Sequence, residues 1–277
     1  MTPAFTKVAI IGAGAMGRGI AQIAAQAGSQ VWLYDTQSGA SGKAREAIGQ
    51  TWDKLADKGK LSAEQVGAYK GRLLEAATLQ DLAACELVVE AIVEKIDIKK
   101  AVFADLEKTL AADAVLVTNT SSLSVTAIAA GMQHPGRFAG YHFFNPVPLM
   151  KVVEVIAGLK TEAAVCQRLS DFARQMGHTP VQAQDTPGFI VNHAGRGYST
   201  EALRIVSEGI ADFATIDRIL RDQVGFRLGP FELFDLTALD VSHHVIESIY
   251  RQYYDEPRYR PNVITAQRLA GGVVGKK

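Results

Sequence analysis

Val8-Ala9-Ile10-Ile11-Gly12-Ala13-Gly14-Ala15-Met16-Gly17 is the stretch that decides the fold. Its apolar start reads as a strand buried on both faces, and the glycines after it have the G-x-G-x-x-G spacing of a turn that runs into a helix. Gly12 permits the tight turn, Gly14 lets the backbone approach a pyrophosphate, and Gly17 lets the helix pack close to the strand. The helix starting near Met16 then points its N–H groups and positive dipole end at phosphates. Glycines also mark ordinary turns, but here strand, turn, helix and second strand occur in order, which favours a nucleotide role for Gly12, Ala13, Gly14, Ala15, Met16 and Gly17.

The second strand, Gln30-Val31-Trp32-Leu33-Tyr34, ends at Asp35, eighteen residues beyond Gly17. A carboxylate there accepts both hydrogen bonds from an adenosine ribose and repels a 2′-phosphate, so NAD is expected rather than NADP. The competing reading makes Asp35 the N-cap of the next helix. Strand-like runs at 8–11, 30–34, 87–91 and 114–118 alternate with helical patterns. That alternation is the signature of a Rossmann-type α/β fold, a doubly wound parallel sheet. Residues 38–72 read as an inserted helical hairpin broken near Gly59-Lys60-Leu61-Ser62, with Ser62 and Gln65 at capping-box spacing. An amphipathic helix over 162–176 and a strand at Thr179–Ala183 follow. Past Asp185-Thr186-Pro187-Gly188 only helices are expected, at Ile190–Ser207, Ile216–Val224, Asp240–Tyr254 and Asn262–Leu269. The chain thus divides into a cofactor domain, 1–187, and a smaller all-α domain, 188–277.

Twenty-nine basic residues balance twenty-nine acidic ones in 277, with no long single-sign run. This argues for a small-molecule ligand and against a nucleic acid or membrane surface as partner. Cys85 and Cys166 have no C-x-x-C spacing and read as buried reduced thiols. The first strand begins too early for a signal peptide to precede it, and no apolar stretch approaches a membrane span. A cytoplasmic protein is expected.

The candidate chemistry lies in Tyr141-His142-Phe143-Phe144-Asn145-Pro146 and Lys151-Val152-Val153-Glu154-Val155. His142 follows an apolar strand-like run and is flanked by aromatic residues that exclude water. A histidine so placed can take the proton of an alcohol while hydride leaves the same carbon. Glu154 alternates with apolar neighbours, so it reads as a partly buried carboxylate; if the two strands are neighbours, it fixes the imidazole tautomer and stabilises the imidazolium. Without that geometry His142 is a core histidine. Val88-Val89-Glu90-Ala91-Ile92-Val93-Glu94 is the next cofactor wall, with Glu94 and Lys99 open to a second reading as a solvated pair. Asn119-Thr120-Ser121-Ser122 closes a parallel strand, where substrates bind, although the same residue types also cap helices. Asn192 opens the helical domain, where its amide can reach back across the cleft to a substrate carbonyl. His193, His243 and His244 read as structural or surface residues, and no metal site is expected.

At these residues the chain resembles the 3-hydroxyacyl-CoA dehydrogenase family. The matching motifs, in order, are Gly12–Gly17, Asn119–Ser122, His142–Pro146 and Asp185–Asn192. The resemblance implies oxidation of a (3S)-3-hydroxyacyl-CoA to the 3-oxoacyl-CoA with NAD. By it His142 is the general base, Glu154 its partner, and Ser121 and Asn192 hold the substrate oxygens. It also implies NAD contacts at Asp35, Glu94, Lys99, Asn119, Ser121 and Asn145, and CoA contacts on the hairpin at Thr51 and Lys58. A homodimer through the helical domain is the implied assembly, with the apolar content of residues 231–249 compatible with it.

The sequence departs from the family in two places. His193 stands where the family commonly has arginine, and the end at Gly271–Lys277 is earlier than usual. The second departure reads as a shortened piece of the longer bacterial form that resembles 3-hydroxyadipyl-CoA dehydrogenases. Two other readings compete: an NAD enzyme for a free 3-hydroxy acid, and a non-enzymatic, crystallin-like NAD-binding protein. The first places a catalytic lysine early in the helical domain, and residues 188–207 contain none. Retention of His142, Glu154, Ser121 and Asn192 together speaks against the second.

Overall fold

A computed structural model describes residues 3–276, which fall into two compact units, one ending at Asp185 and the other starting at Thr186. Met1, Thr2 and Lys277, at the ends of the two expected domains, lie outside the described residues.

The first unit runs β1 (Lys7–Ile11), α1 (Ala15–Gln26), β2 (Gln30–Tyr34), α2 (Ala40–Asp57), α3 (Ala63–Gly71), β3 (Leu73–Glu75), β4 (Leu87–Glu90), α4 (Ile96–Thr109) and β5 (Val115–Thr118). It continues through α5 (Val125–Ala129), β6 (Phe138–Phe143), β7 (Val152–Ala157), α6 (Ala163–Gln175) and β8 (Thr179–Gln184). The strands form one eight-stranded sheet in the order β3-β2-β1-β4-β5-β6-β7-β8. Chain order reverses at β1, which has β2 on one side and β4 on the other, and ligands of doubly wound sheets bind outside the carboxyl ends of the strands at such a reversal.

From β3 to β6 every pair is parallel, and the central β4 and β5 are short runs buried on both faces, while β2 and β3 toward the edge are only partly buried. β7 then runs antiparallel to β6, and β8 is parallel to β7. The all-parallel pattern expected of the sheet therefore ends at β6. The reversal brings the first half of β7, rather than its last, to the edge where β1, β4, β5 and β6 end. The core of the unit gathers Val8, Ile10, Val31, Leu33, Val89 and Val117 from the sheet with Ile20 and Ala24 of α1 and Trp52 of α2.

The expected hairpin is α2 and α3. Ser62 accepts a bond from the Gln65 amide at 3.1 Å while the Gln65 side chain accepts from the Ser62 amide at 2.8 Å, a complete capping box. β3 carries no expectation from the sequence, because three residues show no alternation.

The second unit holds α7 (Val191–Ser207), α8 (Phe213–Asp222), α9 (Pro230–Thr237), α10 (Leu239–Gln252) and α11 (Val263–Ala270), with no strand among its described residues. Leu203, Phe234, Leu239 and Ile246 form its small core. α9 was not anticipated; Pro230 opens it, Glu232 accepts the Gly229 amide at 2.9 Å, and Asp217 of α8 accepts the Phe231 and Glu232 amides at 2.9 and 3.0 Å. Among the described residues no helix is long and apolar enough to cross a membrane.

Candidate active site

The Gly-rich turn follows β1 directly. Gly12 has φ +100°, and a side chain there would place its Cβ 2.5 Å from the Ala91 carbonyl oxygen. A Cβ on Gly17 would lie 1.8 Å from the Gly12 carbonyl, so only glycine lets α1 start this close to the strand. Over Gly14, by contrast, a Cβ would meet nothing within 4 Å, and no side chain caps the start of α1. The turn thus offers open space above bare backbone at a helix N-terminus, which fits a dinucleotide pyrophosphate.

Asp35 does not cap α2, whose N-cap is Gly39. Its Oδ2 accepts the Ala13 amide at 2.8 Å and its Oδ1 the Gln37 amide at 2.9 Å, so the carboxylate is clamped against the glycine turn at the end of β2. Part of the side chain faces solvent, where a ribose diol can meet it.

The wall after β4 is built around a buried ion pair. Lys99 is 1% exposed and Glu90 fully buried; Nζ lies 2.6 Å from Glu90 Oε1 and 3.2 Å from Glu94 Oε2. The reading of Glu94 and Lys99 as a solvated pair is thereby corrected. Lys99 points inward because Glu90, nine residues earlier, supplies the charge that offsets its desolvation. Glu90 also accepts from the Ile92 amide at 2.7 Å and the Thr118 hydroxyl at 2.8 Å, tying the ends of β4 and β5 together. Glu94 accepts from the Thr120 hydroxyl and from the Ser121 amide at 3.0 Å. Ala91 donates to the Ile11 carbonyl at 2.8 Å, holding the wall to β1.

Asn119 and Ser121 do not cap α5. That cap is Ser124, with Asp185 accepting the Val125 and Thr126 amides at 2.8 and 2.7 Å. Asn119 Oδ1 instead accepts the Phe143 amide at 2.9 Å, which locks the end of β5 to β6 beside the histidine strand.

β6 is buried throughout, an environment in which a histidine needs a partner. The antiparallel register sets His142 directly opposite Glu154, and Nδ1 lies 2.6 Å from Glu154 Oε2, with the two residues 6% and 1% exposed. The Phe144 ring stands 4.6 Å from the imidazole, centroid to centroid. Through Nδ1 the carboxylate sets the orientation of the ring. Asn145 follows in an exposed connection.

A second buried histidine was not singled out by the sequence. Both ring nitrogens of His178 face carbonyl oxygens, of Met176 at 3.1 Å and Val147 at 3.0 Å, so it pins the connection after His142 to the start of β8. An isolated histidine before a strand gives no pattern that could have revealed it. Cys85 and Cys166 are free and buried, and burial pushes the Cys85 thiol up to about 12.

Thr51 and Lys58 are exposed, on α2 and at its end, and the Thr51 hydroxyl donates to the Ala47 carbonyl at 2.9 Å. Within the helical unit Asn192 lies in the first turn of α7 and its Oδ1 accepts from Arg196 Nη2 at 3.0 Å. His193 Nδ1 is 2.8 Å from the Tyr253 hydroxyl, His243 is buried against Thr265 and His244 is exposed. Among the described residues no group of three or more His, Cys, Asp or Glu is gathered for a metal ion.

A doubly wound sheet with this turn and acid defines an NAD-binding oxidoreductase fold. The chain belongs to the 3-hydroxyacyl-CoA dehydrogenase family: residues 7–186 match the family's NAD-binding domain and residues 188–277 its C-terminal domain. NAD is accordingly its cofactor. The chain is 43% identical to a 3-hydroxyadipyl-CoA dehydrogenase of Escherichia coli, over 98% of its own length and 57% of that protein's. It therefore spans little more than half of that relative. It is 37% identical to a probable 3-hydroxybutyryl-CoA dehydrogenase of Deinococcus radiodurans, covering 98% of this chain and 97% of the other. A crystal structure of a 3-hydroxybutyryl-CoA dehydrogenase from Escherichia coli matches with a TM-score of 0.96 at 42% identity, over 98% of this chain and 57% of that one.

Lys99→Met removes the cation from a buried carboxylate and should cost about 3–5 kcal/mol. Urea unfolding checks this, with Glu90→Gln/Lys99→Met expected to regain part of the loss; a single variant as stable as the parent would show that the pair does not hold the wall.

Proposed function

We propose that this chain catalyses the reversible oxidation of a (3S)-3-hydroxyacyl-CoA to the 3-oxoacyl-CoA, with His142 as general base and Glu154 as its partner. The observation that carries the reading is the 2.6 Å contact between His142 Nδ1 and Glu154 Oε2, buried at the end of the sheet where the strands of the nucleotide fold finish. Bound NAD supplies the acceptor for the hydride that leaves carbon 3. The glycine turn and the Ala15, Met16 and Gly17 amides hold its pyrophosphate, Asp35 its adenosine ribose, and Ala91, Glu94, Lys99, Asn119, Ser121 and Asn145 form the rest of its wall.

His142 Nε2 takes the hydroxyl proton as the alcohol is oxidised, and returns it when the reaction runs backward. Glu154 keeps the tautomer with the proton on Nδ1 and stabilises the imidazolium by a charge-assisted hydrogen bond in a site closed to water. Phe144 contributes to that closure. Ser121 and Asn192 donate to the substrate oxygens, which strengthens binding where negative charge gathers on the 3-oxygen. Thr51 and Lys58 meet the CoA moiety. Two buried thiols fit a cytoplasmic setting, where thiols stay reduced.

The partner we propose is a second copy of the chain, docked through the helical unit. The apolar residues Leu236, Val241 and Val263 stand exposed there and would be covered by such a contact.

Oxidation of NADH followed at 340 nm with acetoacetyl-CoA, beside free acetoacetate, tests the reaction. Fast turnover of the thioester alone is expected; turnover of the free acid would favour the small-acid reading, and NADH binding without turnover of either would favour the non-enzymatic one. Sedimentation should give a particle of two chains, reduced to one by Leu236→Asp/Val241→Asp, whereas a monomeric parent would refute the dimer.

A further inference from the structure

We infer that Arg196 is a positioning residue, whose guanidinium holds the Asn192 side-chain amide in the one orientation that presents hydrogen-bond donors to the substrate oxygen. The inference rests on the proposed role of Asn192 and deepens it.

The two residues are one helical turn apart on α7, the spacing at which side chains meet. Arg196 Nη2 lies 3.0 Å from Asn192 Oδ1. An asparagine amide has an acceptor end and a donor end of nearly the same shape, and its last torsion is roughly two-fold, so nothing intrinsic selects which end faces outward. A guanidinium settles the choice, because it has five donors and no acceptor. With Oδ1 turned to Arg196, the end that Asn192 can offer a carbonyl or alkoxide is Nδ2. Turned the other way, the amide would set oxygen against oxygen and repel the group it is proposed to hold.

The arrangement is costly to maintain. The other bond from Arg196 goes to the Ser242 carbonyl at 3.4 Å, so both of its acceptors are neutral, and Nε has no partner among the described residues. Burial draws its pKa down to about 10, still far above neutrality. A methionine or leucine would fill the same volume without desolvating a charge. What the guanidinium adds over either is a fixed donor pointed at Asn192. The backbone of Asn192 is set independently, its amide donating to the Gly188 carbonyl at 3.0 Å, so the guanidinium governs the amide's orientation rather than its place.

A double-mutant cycle tests this, read as kcat and KM for acetoacetyl-CoA, NADH affinity by fluorescence and thermal stability. Arg196→Met should lower kcat/KM roughly tenfold, the worth of one well-placed hydrogen bond, while NADH affinity stays unchanged. In an Asn192→Ala background the same substitution should cost nothing further. Arg196→Lys, which keeps a donor, should lose less and also show no loss in that background; it serves in the cycle if the methionine variant does not fold. An equal loss in both backgrounds would overturn the inference by making Arg196 merely structural, as would an Arg196→Met protein with the parent's kcat/KM. Parent-like kcat/KM for Asn192→Ala alone would remove the Asn192 assignment itself, and this role of Arg196 with it.

Discussion

The register between β6 and β7 is the constraint on which the rest depends. In a wholly parallel sheet each strand delivers only its carboxyl end to the ligand edge, and successive strands need long crossovers. Here the sheet reverses once, so the chain returns from His142 through the exposed connection after Phe143 and enters β7 with Glu154 directly across from the imidazole. A slip of one residue would turn Glu154 to the opposite face of the sheet and separate it from the imidazole it now faces. The packing of Val153, Val155, Tyr141 and Phe143 therefore fixes the His142–Glu154 pairing as well as the core.

The same economy appears at the neighbouring strand ends. Glu90 and Lys99 are a pair that would destabilise the core if either stood alone, yet together with Thr118, Ile92 and Glu94 they stitch β4 and β5 into one rigid rim. Asn119 extends that stitching to β6, and Asp35 ties β2 to the glycine turn. Glu90, Glu94, Asn119 and Asp35 each accept from at least one backbone amide, which is how a rim made of loops acquires stiffness.

Much of this was legible in the sequence, for physical reasons. The run Val8–Ile11 and the glycines have no other economical arrangement, Ser62 and Gln65 declare a capping box, and alternation around Glu154 marked a buried carboxylate. What stayed hidden depended on partners far along the chain. Lys99 looked solvated because only Glu90 makes its burial tolerable. Asp35 kept a second reading as a helix cap because its bond to Ala13 exists only once β1 and β2 pair. β3 was missed because three residues show no period, and α9 was missed although Pro230 and Glu232 signal its start. His178 and the clamp of Arg196 on Asn192 carry no motif at all, since each is a single contact that the fold creates.

Substitution of His142 by glutamine is the most direct measurement of the central claim, because glutamine keeps the size and hydrogen-bonding of the ring while losing its capacity to take a proton. Measured with acetoacetyl-CoA and NADH, kcat should fall by roughly 10²–10⁴-fold, as for loss of a general acid–base group, while NADH affinity and thermal stability stay near those of the parent. Full turnover in that variant would contradict the account, showing that the buried pair on β6 and β7 is a structural contact and that the proton goes elsewhere.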